Sequence, residues 1–290
     1  MDKLDITCVV AVRNEAANIG KCLASLSPAA RVIVADSRST DGTPELAAAL
    51  GAEVVQFVYS GSYPKKRQWV LDNCGISTEW VLMVDADECI PAALWIEMAT
   101  AISQSDACAG FLVSKGFHFM GRRLRFGGFS HQALILFRTG KGRFEQTLAE
   151  SASRLDMEVH ERVLVDGKVG TLPVPLVHDD FKGLRAYIDR HNAYSTWEAQ
   201  VRFRYFEKGT YGDDAIRSSL FGNAQERRRF LKALVIRLPF EPILWFCFHY
   251  FLRFGFLEGR RGFIASRMRM NYISDVRAKM WEIRLGSSSR

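Results

Sequence analysis

Trp80-Val81-Leu82-Met83-Val84-Asp85-Ala86-Asp87-Glu88 is a short apolar run that breaks abruptly into acids. Its length and its valines predict a strand covered on both faces, as in a parallel sheet. In open α/β sheets the ligand sits beyond the carboxyl ends of the strands. Asp85 and Asp87 are therefore expected at the mouth of a cleft. Two carboxylates so placed can hold a hard divalent cation, Mg²⁺ or Mn²⁺, that keeps positions open for phosphate oxygens. The competing reading is a solvated turn and helix cap before Pro91.

Upstream, apolar runs alternate with helical spacing. Strands are predicted over Asp5 to Val12, Arg31 to Ala35 and Glu53 to Val58. Between the first two lies a helix with Ile19, Leu23 and Leu26 on one face. The helix from Pro44 to Leu50 opens on a first-turn proline, with Thr43 or Asp41 as its cap. Pro64 to Asn73 is a further helix, carrying Lys65, Lys66, Arg67 and Gln68. This β-α-β-α-β alternation predicts a doubly wound parallel sheet. Asn14 and Glu15 follow strand one, and Asp36 ends strand two. An acid there suits a ribose hydroxyl or a base edge. The sequence has no Gly-x-Gly-x-x-Gly and no P-loop, which excludes those two routes to a nucleotide.

Three blocks together resemble the family-2 inverting glycosyltransferases of GT-A fold. They are Val9 to Glu15, Val34 to Thr43 and Val84 to Glu88. The resemblance covers roughly the first 200 residues. It implies an α/β GT-A fold with a mostly parallel central sheet flanked by helices. It also implies a nucleotide-diphosphate sugar donor and a divalent metal, Mg²⁺ or Mn²⁺, at Asp87. Asp85 is expected to contact the donor's ribose or sugar. Contacts to nucleobase and ribose are expected from Val12, Asn14, Glu15, Asp36 and Ser39. The Lys66-Arg67-Gln68 segment looks like the part of lipopolysaccharide-core glucosyltransferases that approaches the nucleotide; an exposed basic helix face is the other reading.

Downstream, Gly110 to Met120 and Ala133 to Arg138 are predicted strands. Arg122, Arg123, Arg125 and Arg138 around them suit an anionic acceptor or the donor diphosphate, since guanidinium matches phosphate bidentately. Inverting transfer needs one carboxylate base for the acceptor hydroxyl. Glu161, in His160-Glu161-Arg162, sits where similar family members carry that base, with Glu158 and Asp156 as alternatives. His178 ends a strand-like run from Pro173 to Val177 and is expected as a further metal ligand, as in many GT-A enzymes. A helix from Gly183 to Phe206 follows, and His191 within it reads as core. The processive members' Gln-x-x-Arg-Trp has no counterpart at Gln225-Glu226-Arg227-Arg228-Arg229, which favours one sugar per encounter.

The chain has 290 residues, 48% hydrophobic, enough for one large domain with an appendage. Its six cysteines form no Cys-x-x-Cys pair, which points to a reducing compartment without a disulfide framework or zinc site. The N-terminus does not read as a signal peptide. The net charge of +7 is uneven: Glu226 to Arg290 has 14 Lys/Arg against 5 Asp/Glu, a net of +9. The catalytic domain is thus expected over 1–225, and a basic, aromatic-rich helical region over 226–290. Its apolar stretch, Ile243 to Leu252 and Phe254 to Leu257, is too short to span a bilayer. It suits an anionic membrane surface instead, with packing in a homo-oligomer as the other reading. The whole predicts metal-dependent, non-processive transfer of one sugar to a lipid-linked saccharide, in lipopolysaccharide or exopolysaccharide assembly, at the cytoplasmic face of the inner membrane as a peripheral or monotopic protein. No nucleic acid is expected as a partner. A nucleotidyltransferase would want a Gly- and Arg/Lys-rich first loop, unlike Val12-Arg13-Asn14-Glu15. A non-enzymatic basic membrane-surface protein would leave the acidic strand ends unexplained.

Overall fold

The computed structural model describes residues 3–60, 63–104, 107–145, 162–178, 183–209, 219–222 and 224–288. The first elements follow the predicted alternation: β1 (Leu4–Val12), α1 (Ala16–Ser25), β2 (Ala29–Asp36), α2 (Thr43–Ala49), β3 (Glu53–Gln56), α3 (Lys66–Asn73) and β4 (Trp80–Asp85). The continuous apolar runs of β1 and β4 are buried, as expected of central strands of a parallel sheet. Ile19, Leu23 and Leu26 are buried along α1 and just past its end. The α2 cap differs from expectation. Gly42, in the left-handed region at φ 82°, takes the cap position. Asp41 accepts from the Thr43 amide at 3.1 Å and also from the Ala16 amide at 3.0 Å, so it ties two loops together.

The chain continues through β5 (Glu88–Cys89), α4 (Ala92–Gln104) and β6 (Cys108–Lys115). The predicted strand from Gly110 to Met120 is split: β6 stops at Lys115, and the short β7 (His118–Phe119) pairs with β8 (Arg122–Arg123) instead. Next come β9 (His131–Arg138), β10 (Gly142–Phe144), β11 (Val163–Val165) and β12 (Lys168–His178). Eight strands form the main sheet in the order β3-β2-β1-β4-β9-β6-β12-β5. The sheet is mostly parallel, but β9 runs antiparallel to β4 and β5 antiparallel to β12.

The remaining helices are α5 (Leu184–Lys208), α6 (Ala224–Val235), α7 (Glu241–Cys247) and α8 (Gly259–Ser288). Two compact units result. Among the described residues, the first takes in those up to 116, 132–145 and 162–178; the second takes in 117–131 and those from 183 onward. The second unit thus takes in α5, whereas charge alone divides the sequence at 225. Within it, α5 and α7 pack on α8 around Ala199, Tyr272, Ile273 and Val276. The buried Arg202 guanidinium donates to Glu198 at 2.8 Å and to both Glu241 oxygens at 2.8 and 2.9 Å, joining α5 to α7. His191 belongs to this packing, stacked on Tyr187, and burial pushes its pKa down to about 4. All six cysteines are unpaired. No helix among the described residues is long and apolar enough to cross a membrane.

Candidate active site

Strand register builds the site. Val12 pairs with Asp36, Ala11 with Asp85 and Asp36 with Gln56. The carboxyl ends of β1, β2, β3 and β4 therefore form one edge, where an α/β sheet receives its ligand. After Asp85 the chain turns at Ala86-Asp87 into β5. There Glu88 pairs with His178 of β12, and Leu176 of β12 pairs with Lys115 of β6. The predicted Asp87 and His178 thereby meet, with 3.2 Å between the Asp87 Oδ2 and the His178 Nε2. Both are only partly covered, at 16% and 28% side-chain exposure, so a ligand can reach them.

Asp85 is engaged differently. Arg67 pairs with its Oδ1, and the Lys115 Nζ lies 3.1 Å from its Oδ2. The same Nζ lies 2.6 Å from Glu88, which is fully buried and accepts the Asp85 amide at 2.9 Å. Burial opposes charge on Asp85, but Lys115 and Arg67 outweigh it and hold the carboxyl far below its ordinary range. Burial of Lys115 is likewise outweighed, by Asp85 and Glu88, and its pKa rises. For Glu88 burial prevails, helped by the Asp85 charge, and its pKa is raised despite Lys115. Burial of His178 works against its charged form; the hydrogen bond and charge of Asp87 reverse that and lift its pKa.

The expectation that Asp85 and Asp87 jointly hold a cation is thus altered, because Asp85 already faces two fixed cations. Asp87 and His178 are the converging donors. A carboxylate oxygen and an imidazole nitrogen are ligands that Mn²⁺ or Mg²⁺ accepts, and two protein donors leave positions for diphosphate oxygens. These residues fit such an ion as a partial ligand set. No group of three or more His, Cys, Asp or Glu that could hold a metal occurs among the described residues.

The other predicted contacts are distributed unevenly. Asn14 holds φ 57°; its amide donates to Ser39 at 2.8 Å and its side-chain oxygen accepts from Thr40 at 2.9 Å. Asp36 is buried and accepts from the Ser39 amide and from Gln56, each at 3.0 Å. Ser39 thus links Asn14 to Asp36 and shapes the loop. The Glu15 carboxylate accepts from Asn18 at 2.7 Å. The Val12 side chain lies in the core, and its carbonyl accepts from Ser37 and from the Lys66 ammonium, the latter at 2.9 Å. Lys66 is therefore turned inward as a brace under β1, while Arg67 faces Asp85. Arg138 stands at the opposite end of the sheet: because β9 is antiparallel, Arg138 pairs with Trp80 and binds Glu79. Arg122 and Arg123 are exposed on β8. Glu161, His160, Glu158 and Asp156 lie outside the described residues. Sequence reading missed Lys115; its signal was a lysine closing the apolar run Phe111-Leu112-Val113.

Residues 7–150 match Glycosyl transferase family 2, and the chain carries a glycosyltransferase domain of that family. It is 28% identical to the lipopolysaccharide core biosynthesis glycosyltransferase LpsC of Rhizobium meliloti (strain 1021), over 97% of this chain and 93% of that protein. It is 24% identical to an uncharacterized glycosyltransferase, RT0209, of Rickettsia typhi (strain ATCC VR-144 / Wilmington), over 90% of this chain and 81% of that one. Among solved structures it resembles the mannosyltransferase PcManGT of Pyrobaculum calidifontis, in complex with GDP-Man and Mn²⁺, at a TM-score of 0.53 and 17% identity, over 96% of this chain and 87% of that one. The fold is GT-A.

Proposed function

We propose that this glycosyltransferase moves one sugar, with inversion, from a nucleotide-diphosphate donor to a lipid-linked saccharide acceptor of the lipopolysaccharide-core class. The observation that carries the proposal is the convergence of Asp87 and His178 beside an Asp85 clamped by Arg67 and Lys115. The near full-length similarity to LpsC supports the acceptor class. Asp87 and His178 would hold Mg²⁺ or Mn²⁺, which when bound there supplies counter-charge to the donor diphosphate.

Asp85, kept ionised, is positioned to accept hydrogen bonds from ribose or sugar hydroxyls. Arg67 and Lys115 hold its orientation and place positive charge where the diphosphate leaves. Asn14, Glu15, Asp36 and Ser39 shape the loop for base and ribose. Glu161 takes the proton from the acceptor hydroxyl as general base. The basic region 226–290 attaches the enzyme to the anionic inner face of the cytoplasmic membrane, as a peripheral or monotopic protein, which brings a lipid-linked acceptor within reach.

Release of nucleoside diphosphate from a panel of nucleotide sugars, with and without Mn²⁺, tests this reading. Release from one donor that chelator abolishes and acceptor accelerates is expected. No turnover of any donor would refute the assignment of the site.

A further inference from the structure

The helical unit displays an unusual surface between α7 and α8. After α7 the chain makes a wide turn over Phe248–Leu252 and a tight one over Gly255–Glu258 before entering α8. Close approach fixes this hairpin. A Cβ added to Gly262 would lie 1.9 Å from the Gly255 carbonyl oxygen, and one on Gly255 would lie 2.5 Å from the His249 carbonyl. With Gly255 pinned inward, its neighbours point out: Phe251, Leu252, Phe254, Phe256 and Leu257 are 55%, 70%, 54%, 45% and 56% exposed. They form one patch, since Phe254 touches Phe256, Phe256 touches Tyr250, and Tyr250 touches Phe251. Phe254 even holds φ 59°, a conformation that costs a bulky residue energy, to present its ring to solvent.

The charges are sorted around this patch. Between Leu238 and Asn271 the sequence has two acids, Glu241 and Glu258, and five arginines. Both acids are turned inward. Glu241 is fully buried against Arg202, and Glu258 accepts the backbone amides of Arg125 and Phe126 at 2.6 and 2.8 Å. Arg253, Arg260, Arg261 and Arg267 are exposed. Arg260 also borders a hollow of about 410 Å³ walled by Tyr250, Phe263 and Ile264. From Leu238 to Asn271 the outward face therefore offers apolar groups and positive charge, with both acids of that stretch turned inward.

We propose that residues 251–257 are a monotopic anchor that enters an anionic phospholipid bilayer, with Arg260 and Arg267 on its headgroup phosphates. This rests on the membrane attachment proposed above and narrows it to one hairpin. A second copy of the chain fits the surface poorly, because docking it on itself would bring like-charged arginines together. An anionic interface supplies both the apolar phase and the counter-charge. The inserting set also differs from the aromatics nearest the middle of the sequence run. Trp245, Phe246 and Tyr250 are partly covered, with the Trp245 indole on Glu241 and the Phe246 ring stacked on Tyr250.

The test is flotation of the full chain with vesicles of phosphatidylethanolamine and phosphatidylglycerol, and with phosphatidylcholine alone. Leu252→Ser with Phe254→Asn removes the insertion while keeping a residue that tolerates positive φ. It should lower partitioning about tenfold or more with an unchanged melting curve. Arg260→Gln with Arg267→Gln should cost about 25-fold on the anionic vesicles alone, at roughly fivefold per arginine. Wild-type binding by both variants would overturn the hairpin and leave attachment to the rest of the tail. Absence of binding by the parent chain would overturn the membrane reading with it. A dimer that light scattering shows to dissociate in the Leu252/Phe254 variant, without vesicle binding, would make the patch a contact between copies. Nucleoside diphosphate release, measured in parallel without lipid, reports separately on the glycosyltransferase reading.

Discussion

Replacing Lys115 by methionine isolates the electrostatics of the site. Lys115 holds two acids, Glu88 at 2.6 Å and Asp85 at 3.1 Å. Asp85 keeps Arg67 after the change and stays ionised. Glu88 is fully buried beside that charge and keeps only the Asp85 amide among the donors described above. Breaking a buried pair by deleting one partner costs about 3–5 kcal/mol. Glu88 can escape part of this by binding a proton. From its ordinary pKa of 4.5, staying neutral at pH 7 costs about 3.4 kcal/mol, at roughly 1.36 kcal/mol per pH unit. A destabilisation of about 3 kcal/mol is therefore expected at pH 7.

The pH dependence carries the diagnosis. The folded pKa of Glu88 lies above its unfolded value even with Lys115 present, and removing the lysine takes away a group that lowers it, so the proton-bound form stabilises the variant's fold below pH 4.5. That stability is lost as pH rises toward the raised folded pKa. Glu88 is already raised in the parent, and losing Lys115 raises it further, so relative to the parent Lys115→Met should recover by up to about 1.4 kcal/mol for each unit of acidification from pH 7 toward pH 5. Urea unfolding at several pH values measures this. Adding Glu88→Gln should restore most of the loss and flatten the pH dependence, because it removes the charge that the lysine neutralised. A Lys115→Met penalty that is constant with pH, or that survives Glu88→Gln, would refute the reasoning.

Other expectations concern the reaction and the helical unit. Asp87→Ala should abolish Mn²⁺-dependent turnover and leave the fold intact, read by nucleoside diphosphate release and thermal melting; activity that persists would remove Asp87 from the metal. Glu161→Gln should lower transfer by roughly 10²-fold or more with donor affinity nearly unchanged, measured by kinetics and donor titration; a collapse of affinity would make Glu161 a donor ligand. His191 and His249 are held neutral by burial, with pKa values pushed down to about 4 from 6.5. The unfolded chain binds protons first, so the stability they contribute is complete above pH 6.5 and lost as pH falls toward 4. A urea titration should show this loss, on the order of 2–3 kcal/mol for each, and His249→Gln should shrink it. Gly262→Ala should destabilise the hairpin, because its Cβ meets the Gly255 carbonyl; an unchanged melting temperature would count against that close approach.

The polar carboxyl edge of the sheet was legible because each strand states its own end. An apolar run that stops at Asp36, at Asp85 or at His178 places a polar group at the sheet's carboxyl edge, whatever the order of the strands. What was illegible is who pairs with whom across the edge. Lys115 follows Asp85 by 30 residues, and nothing local to either residue records that β6 and β5 flank β12 and so bring Lys115 to Glu88 and Asp85. The same holds for Lys66 and Arg67. Adjacent on one helix, they look alike as a basic face, yet one lies under β1 on the Val12 carbonyl and the other reaches Asp85. Arg138 was misplaced because strand direction is a tertiary property: the antiparallel β9 carries it to the far end of β4.

The tail obeys the same division. Its surplus of positive charge is a property of composition and was readable at once. Which of its aromatic groups face outward is set by Gly255 and Gly262 crossing too closely for any side chain, and by Glu241 and Glu258 finding partners in distant segments. Once those acids turn inward, the outward charge is more positive than the count of residues suggests. A surface potential therefore follows from which charges the fold neutralises, and only secondarily from how many the sequence contains. That sorting of charge narrows the proposed membrane contact within the basic region to the hairpin.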